Sequence, residues 1–299
     1  TRGAPMPFKE ADICSYITKH QLSLDAADYI LRSSSCLARN VGQAPGRPSM
    51  LIEHCSEKMG CTVNSESYLE HSYALELEYD DDILAFYEQP ATVECLRGPR
   101  GNPRPFPYTP DFLALGTEGP QVIQIKHEKE LVRLTQQRSY WQKTEDGYVD
   151  ESAAAAFAAI GLPHRVVSSE DLSKLRTQNA RIIAQAKAAG VSTDAMRSIH
   201  GAIKTRKVCF IAELLAATGI EDLTPILQMI HRRELFVSLS RHSLSSPATC
   251  VIATDPKLLC DEILSEFEAT SYVPAGTDDA VDLSQLLNRP GFCRQSSAV

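Results

Sequence analysis

The spacing of apolar residues along the chain changes period several times, and each change marks an element. Between residues 12 and 39, Ile13, Ile17, Ala27, Ile30 and Leu31 recur at helical spacing, with Ser23 and Asp25 able to cap a second helix, so two short helices are predicted. Residues 50–55 and 61–63 read as a small hairpin turning at 56–60. Asn64-Ser65-Glu66-Ser67 is a capping signal for a helix over 67–79. Its apolar face carries Leu69, Tyr73 and Leu77, with Leu75 and Tyr79 less central. Residues 83–87 and 91–96 are β-type runs broken at Pro90. A helix over 132–143, an alanine-rich helix over 151–160 and a strand over 165–167 follow. From Asp171 the pattern turns helical: 172–189, 194–205, 211–218 closed by Gly219, and 225–234. Two β-type runs (236–239 and 250–253) and a last helix over 255–268 end it.

The most informative stretch is 108–126. Two apolar runs, Phe112-Leu113-Ala114-Leu115 and Gln121-Val122-Ile123-Gln124-Ile125-Lys126, flank Gly116-Thr117-Glu118-Gly119-Pro120, a hairpin signature. Period-two alternation puts Gln124 and Lys126 on one face. Asp111 joins them only with an even loop or a bulge; a five-residue loop over 116–120 in plain pairing sets it opposite Ile125 instead. The chemistry of the stretch therefore predicts an even loop or a bulge.

These elements predict an α/β fold: an N-terminal helical arm over 1–48, a mixed-sheet domain flanked by helices over 49–170, a helical domain over 171–268 with the helix–helix–hairpin layout of a winged helix, and a tail over 269–299 that could order on a partner. The chain has 299 residues, enough for two or three domains. No apolar run approaches membrane-spanning length and the N-terminus lacks a signal-peptide layout, so no membrane is expected and a cytoplasmic location is. The nine cysteines are scattered without a C-x-x-C pair, which suggests reduced thiols rather than a disulfide framework or structural zinc. Net charge is −8, yet residues 126–210 hold 14 basic against 9 acidic groups. That middle third is the expected phosphate-facing part. The triplet Asp80-Asp81-Asp82 lacks the spacing of a calcium loop and reads as solvated. The basic turn over 97–105 reads as a hairpin tip.

Taken together, Glu70, Asp111 and Gln124 offer hard oxygen ligands suited to Mg²⁺, with Mn²⁺ as a substitute, and the carbonyl of Ile125 completes the shell. Lys126 beside them would orient a water or neutralise phosphate charge. The chain shows neither a phosphate loop, a G-x-S-x-G elbow nor an H-E-x-x-H pair.

Pro110-Asp111 followed by Gln124-x-Lys126 resembles the PD-(D/E)XK nuclease superfamily. The wider set Ser67-Tyr68-Leu69-Glu70, Glu88-Gln89-Pro90, Thr109-Pro110-Asp111-Phe112-Leu113 and Ile123-Gln124-Ile125-Lys126 is similar to the TnsA family, the endonuclease subunits of transposon-seven-type heteromeric transposases. The resemblance covers about 50–167, with a weaker continuation over 214–252 similar to that family's C-terminal winged helix. It implies a restriction-endonuclease-like mixed sheet and a catalytic set of Glu70, Asp111, Gln124 and Lys126. It also implies cleavage of the 5′ strands at double-stranded transposon ends, together with a TnsB-like transposase and a TnsC-like AAA+ regulator. Some relatives act with a CRISPR targeting complex. The alternatives are a stand-alone restriction- or repair-type nuclease, or a non-catalytic adaptor of the same fold that binds DNA or a regulator.

Overall fold

The computed structural model describes residues 8–35, 51–98, 102–187 and 189–271. The linker expected over 40–48, the tip of the basic turn and the tail beyond 271 lie outside the described residues. The chain is mixed α/β, and its centre is a four-stranded mixed sheet.

The chain begins with α1 (Glu10–Lys19) and α2 (Leu24–Ser35), then the hairpin β1 (Ile52–Ser56) and β2 (Cys61–Ser65). Next come α3 (Tyr68–Tyr79), β3 (Ile83–Glu88), the ribbon β4 (Val93–Arg97) and β5 (Arg104–Tyr108), and the hairpin β6 (Phe112–Gly116) and β7 (Gly119–Lys126). Helix α4 (Glu128–Gln137), hairpin β8 (Trp141–Thr144) and β9 (Gly147–Asp150), helix α5 (Glu151–Ala159) and strand β10 (His164–Ser168) complete this half. The central sheet runs β10–β7–β6–β3, with β10 parallel to β7 and the other neighbours antiparallel.

Alternation along β6 and β7 divides the core into two layers. Phe112, Ala114, Ile123 and Ile125 face α3, where they meet Ala74 and Leu77. Leu113, Leu115 and Val122 face the other way, onto α5 and the two N-terminal helices, where Tyr29 packs edge-on to Phe157. Ser23 caps α2 through the backbone N–H of Ala26, and its hydroxyl also donates to the carbonyl of Ile160. The N-terminal helices therefore pack against the sheet domain as an arm.

One predicted helix is corrected. The helix placed over 132–143 starts at Glu128 and stops at Gln137, and Trp141 opens a short strand instead. Arg138 is already extended at φ −129°, and Gly147 at φ +124° lets the β8–β9 chain reverse. Trp141 is thereby buried beside Leu131, Tyr148 and Val166.

The second half holds α6 (Lys174–Ala186), α7 (Thr193–Arg206), β11 (Val208–Phe210), α8 (Ile211–Thr218) and α9 (Thr224–His231). Strands β12 (Phe236–Val237) and β13 (Val251–Ala253) and helix α10 (Asp261–Ser271) follow. The three short strands form an antiparallel sheet ordered β11–β13–β12, of which β11 is absent from the sequence pattern. Gly219 ends α8 in the left-handed conformation, as its sequence position predicts. Asn179, fully buried on α6, fastens the 239–244 loop: its amide donates to the carbonyls of Leu239 and His242 and accepts from the N–H of Leu244.

Helix α3 belongs to both halves. Ala74 and Leu77 face the sheet, whereas Leu75 is buried in the core of the helical half with Ile183, Ile226 and Ile230. Glu76 accepts from the hydroxyl of Thr177 at 2.6 Å. In the Asp80–Asp82 triplet, read from sequence as solvated, Asp81 and Asp82 are exposed, and two members also reach the helical half: Asp80 pairs with Arg176 at 2.6 Å and Asp81 with Arg233. No helix among the described residues is long and apolar enough to cross a membrane.

Candidate active site

The β6–β7 loop is two residues long. Gly116 pairs with Gly119 across Thr117-Glu118, so the register runs Leu115↔Pro120 to Phe112↔Ile123. This is the even loop that the chemistry of the stretch requires. Gly119 lies at φ +139°, a conformation suited to glycine, and the loop is held down by the N–H of Thr117 on the carbonyl of Asp82 at 2.8 Å. The ladder ends at Phe112↔Ile123, and just beyond it the N–H of Asp111 donates to the carbonyl of Ile123 at 3.0 Å.

Asp111, Gln124 and Lys126 thus share the face that carries Leu113 and Val122. Asp111 Oδ2 accepts from the backbone N–H of Ile125 at 2.6 Å and from the Gln124 amide. On its other side Gln124 Oε1 accepts from the hydroxyl of Tyr108 at 2.8 Å, which also lies 2.9 Å from His164 Nε2. A buried polar chain therefore runs from His164 through Tyr108 and Gln124 to Asp111. The His164 ring stacks on Phe157, with centroids 5.5 Å apart. Burial pushes the His164 imidazole down to about 4, with Arg97 adding to the shift, so the ring is neutral near pH 7. Burial drives the Tyr108 phenol far upward, reinforced by Asp111 and Asp150, so its proton stays in place.

Lys126, half-buried, reaches Glu130 on α4 at 3.6 Å, and Ser168 sits beside it on β10. Glu128 next to it accepts from the hydroxyls of Tyr148 and Ser168, at 2.5 and 2.6 Å.

Glu70 is placed differently from the other three. It lies one turn before Ala74 on the sheet-facing stripe of α3, in the layer opposite to Asp111. Its carboxylate accepts from the N–H of Glu66 and the hydroxyl of Ser67, both at 2.9 Å, while its own N–H donates to Ser67 Oγ. Ser67 is the N-cap of α3, and these bonds engage both carboxylate oxygens of Glu70 at the helix N-terminus. The same end of the sheet still connects the two layers. The N–H of Asn64, at the end of β2, donates to Glu88 Oε1 at 3.2 Å, and the next residue, Gln89, donates to the carbonyl of Asp111 at 2.9 Å. Glu88 is buried, and that burial raises its carboxyl above the usual range.

The structure therefore brings together Asp111, Gln124 and the Ile125 backbone, sets Lys126 on the same face, and keeps Glu70 in its cap at the same end. Sequence reasoning missed Tyr108, His164, Glu88 and Glu130. Tyr108 opens the organising stretch and Glu88 lies in the quoted Glu-Gln-Pro run, but nothing in either pattern signals a partner. His164 carries no sequence signal at all.

The donor atoms are all oxygens, which suits a hard cation such as Mg²⁺. Among the described residues no three His, Cys, Asp or Glu side chains form a group that could hold a metal ion. The protein's share of a Mg²⁺ shell would thus be small, as that ion tolerates because it keeps several waters. No family model matches the chain, and no curated protein matches it.

Proposed function

We propose that the chain is a Mg²⁺-dependent DNA endonuclease that cleaves the 5′ strands at transposon ends. In this reading it acts in the bacterial cytoplasm with a TnsB-like transposase and a TnsC-like AAA+ regulator. The observation that carries it is the two-residue β6–β7 loop, which sets Asp111 across from Gln124 and gives Lys126 the same face. Two features support the resemblance: a mixed sheet with helices on both faces, and a helical half in which α8 and α9 precede the antiparallel strands β12 and β13. The first agrees with a restriction-endonuclease-like core and the second with a winged helix.

In this mechanism Asp111, Glu70, the Ile125 carbonyl and the Gln124 amide oxygen would hold the ion. Mg²⁺ supplies Lewis-acid stabilisation of charge on the phosphodiester oxygens. The chain's own groups do the remaining work. Lys126 neutralises phosphate charge and orients the attacking water; Glu130 steadies it. The Tyr108 hydroxyl can accept as well as donate, so Gln124 can turn its amide by half a turn without losing that bond. The turn would set the amide oxygen in place of the nitrogen beside Asp111, where both residues could serve as ligands. To join them Glu70 would have to release the Glu66 N–H and the Ser67 hydroxyl, while Ser67 would keep its own bond to the Glu70 N–H.

Strand-resolved cleavage of transposon-end duplexes in Mg²⁺, with the transposase and regulator added or omitted, tests the reading. Asp111→Asn and Lys126→Met should each lower 5′-strand cutting at least a thousandfold while leaving Trp141 fluorescence native. The capped state of Glu70 gives weight to the non-catalytic adaptor, and undiminished cutting by Asp111→Asn would decide for it. Partner-independent cutting of plain duplex would instead indicate a stand-alone nuclease.

A further inference from the structure

A cleft of about 630 Å³ opens between β1 and α3 on one side and α6 and α9 on the other. Tyr68, His71, Leu75 and Tyr79 line it from α3, at the three- and four-residue spacing that aligns side chains on one stripe. Leu75, Ile52 and Ala184 form an apolar wall. Tyr68 stands at the rim, 64 % exposed, with its ring free to be covered.

The polar groups in the cleft are unusual for being unpaired. Both ring nitrogens of His54 and Nδ1 of His71 are buried without a hydrogen-bond partner. The two rings meet edge-to-face, with centroids 5.3 Å apart. His231, only 5 % exposed, holds the Tyr79 hydroxyl through Nδ1 at 2.8 Å, and its Nε2 lies 3.5 Å from Glu57 Oε1. Leaving such groups unsatisfied is unfavourable, so each calls for a reason.

The charges in the cleft are basic and lightly held. Arg181 donates to Ser72 Oγ at 2.6 Å, which uses one of its five donors. Lys187 lies 3.4 Å from both the Cys55 carbonyl and Glu57 Oε1, long for either contact. The acidic wall residue Glu78 is turned away, its oxygens taken by the Ser56 hydroxyl and the N–H groups of Glu57 and Lys58. Glu53 is exposed on β1.

We propose that this cleft binds a single unpaired nucleotide. The base stacks on Tyr68 and packs against the imidazole rings of His54 and His71, and the phosphate lies on Arg181 and Lys187. The volume falls within the range of small-ligand sites. An aromatic platform beside basic side chains is the usual equipment for single-stranded nucleic acid. The inference rests on the nuclease reading in one respect: Glu70 shares the first turn of α3 with Tyr68 and His71, so the nucleotide belongs to the DNA being cut. A free mononucleotide carries the same chemistry and is the other source.

The test uses the full chain carrying Asp111→Asn, so that binding is read without cleavage. Fluorescence anisotropy would follow a labelled single-stranded octathymidylate, with thymidine monophosphate and inorganic phosphate as competitors. Tyr68→Ala, at an exposed rim position, and Lys187→Met should each weaken the oligonucleotide about tenfold, with unchanged urea midpoints. Competition by the mononucleotide at equal strength supports the site and assigns it to free nucleotide. Competition by inorganic phosphate at that strength overturns the inference, because the base then contributes nothing. So does an oligonucleotide that fails to bind, or binds both variants as it binds the parent, and either result leaves the nuclease reading standing. Single-strand binding through the cleft, with no cutting of transposon ends by the unsubstituted chain and its partners, would remove the nuclease reading alone.

Discussion

Replacing Tyr108 by Phe tests the buried polar chain at its centre. The ring is retained, and with it the packing against Phe157 at 6.2 Å and the Arg97 guanidinium 5.0 Å away, so the hydroxyl alone is lost. That hydroxyl serves two buried groups, Gln124 Oε1 and His164 Nε2. An unsatisfied buried polar atom costs about 1–3 kcal/mol, and the site is closed, with Tyr108 only 7 % exposed. Two such atoms give an expected loss of about 2–6 kcal/mol, with the lower end expected where the neighbours relax. The single tryptophan, Trp141, is buried beside Val166 of the central sheet and reports this half of the molecule directly. In urea, with a slope of about 2–3 kcal/mol/M, the midpoint should fall by about 1 M at constant slope. A double-mutant cycle with Gln124→Met should show a coupling of about 1 kcal/mol or more, because both substitutions break the same bond. A Tyr108→Phe midpoint within about 0.2 M of the parent would refute the chain, and with it the idea that Tyr108 orients the amide next to Asp111.

Three further outcomes are expected. Arg97→Met removes the partner of Asp150, which is fully buried and 2.6 Å away, and should cost about 3–5 kcal/mol in the same urea measurement. His54 is lowered to about 4 by burial first, then by His71, Lys187 and His231, so the folded state keeps it neutral while the unfolded chain binds a proton below about 6.5. Its contribution is therefore complete above pH 6.5 and is lost as the pH falls toward 4; His54→Gln should flatten the stability–pH curve between pH 6.5 and 4.5 by on the order of 2 kcal/mol. One glycine inserted between Thr117 and Glu118 makes the loop odd, and if β6 slips by one residue Asp111 turns away from Gln124. Cleavage should then fall to the level of Asp111→Asn, whereas a two-glycine insertion retains measurable activity.

Much of the sheet half was legible because its signals are local. Alternation, the glycines at 116 and 119 and the Ser67 cap each act within a few residues, and together they set the hairpin and the start of α3. What could not be read depends on distant partners. A helical period identifies one apolar stripe, so Leu69, Tyr73 and Leu77 were visible, while the opposite stripe at Leu75 has meaning only once α6 and α9 cover it. The aspartates at 80–82 carry no sign that Arg176 and Arg233, about a hundred residues or more away in sequence, will meet them. Strands β8 and β9 were hidden by their length, since four residues are too few to show alternation; the Asp146-Gly147 pair was their one signal. Glu70 shows the limit for chemistry. Its residue type fits a ligand and a cap equally, and its two bonds to the 66–67 segment make it a cap in this structure.

The shared helix governs how this protein can be taken apart. A fragment ending near residue 170 would keep every strand of the central sheet, yet it would leave Leu75 and Tyr79 bare along α3 and Glu76 and Asp80 without Thr177 and Arg176. Such a fragment would present a greasy, acidic seam to water and tend to associate with itself. The complementary fragment, beginning near 171, would lack the leucine that fills the middle of its own core. Dissection by truncation is therefore a poor instrument for assigning roles to the two halves. Point substitutions along the seam, which weaken the joint without removing either side of it, are the appropriate one.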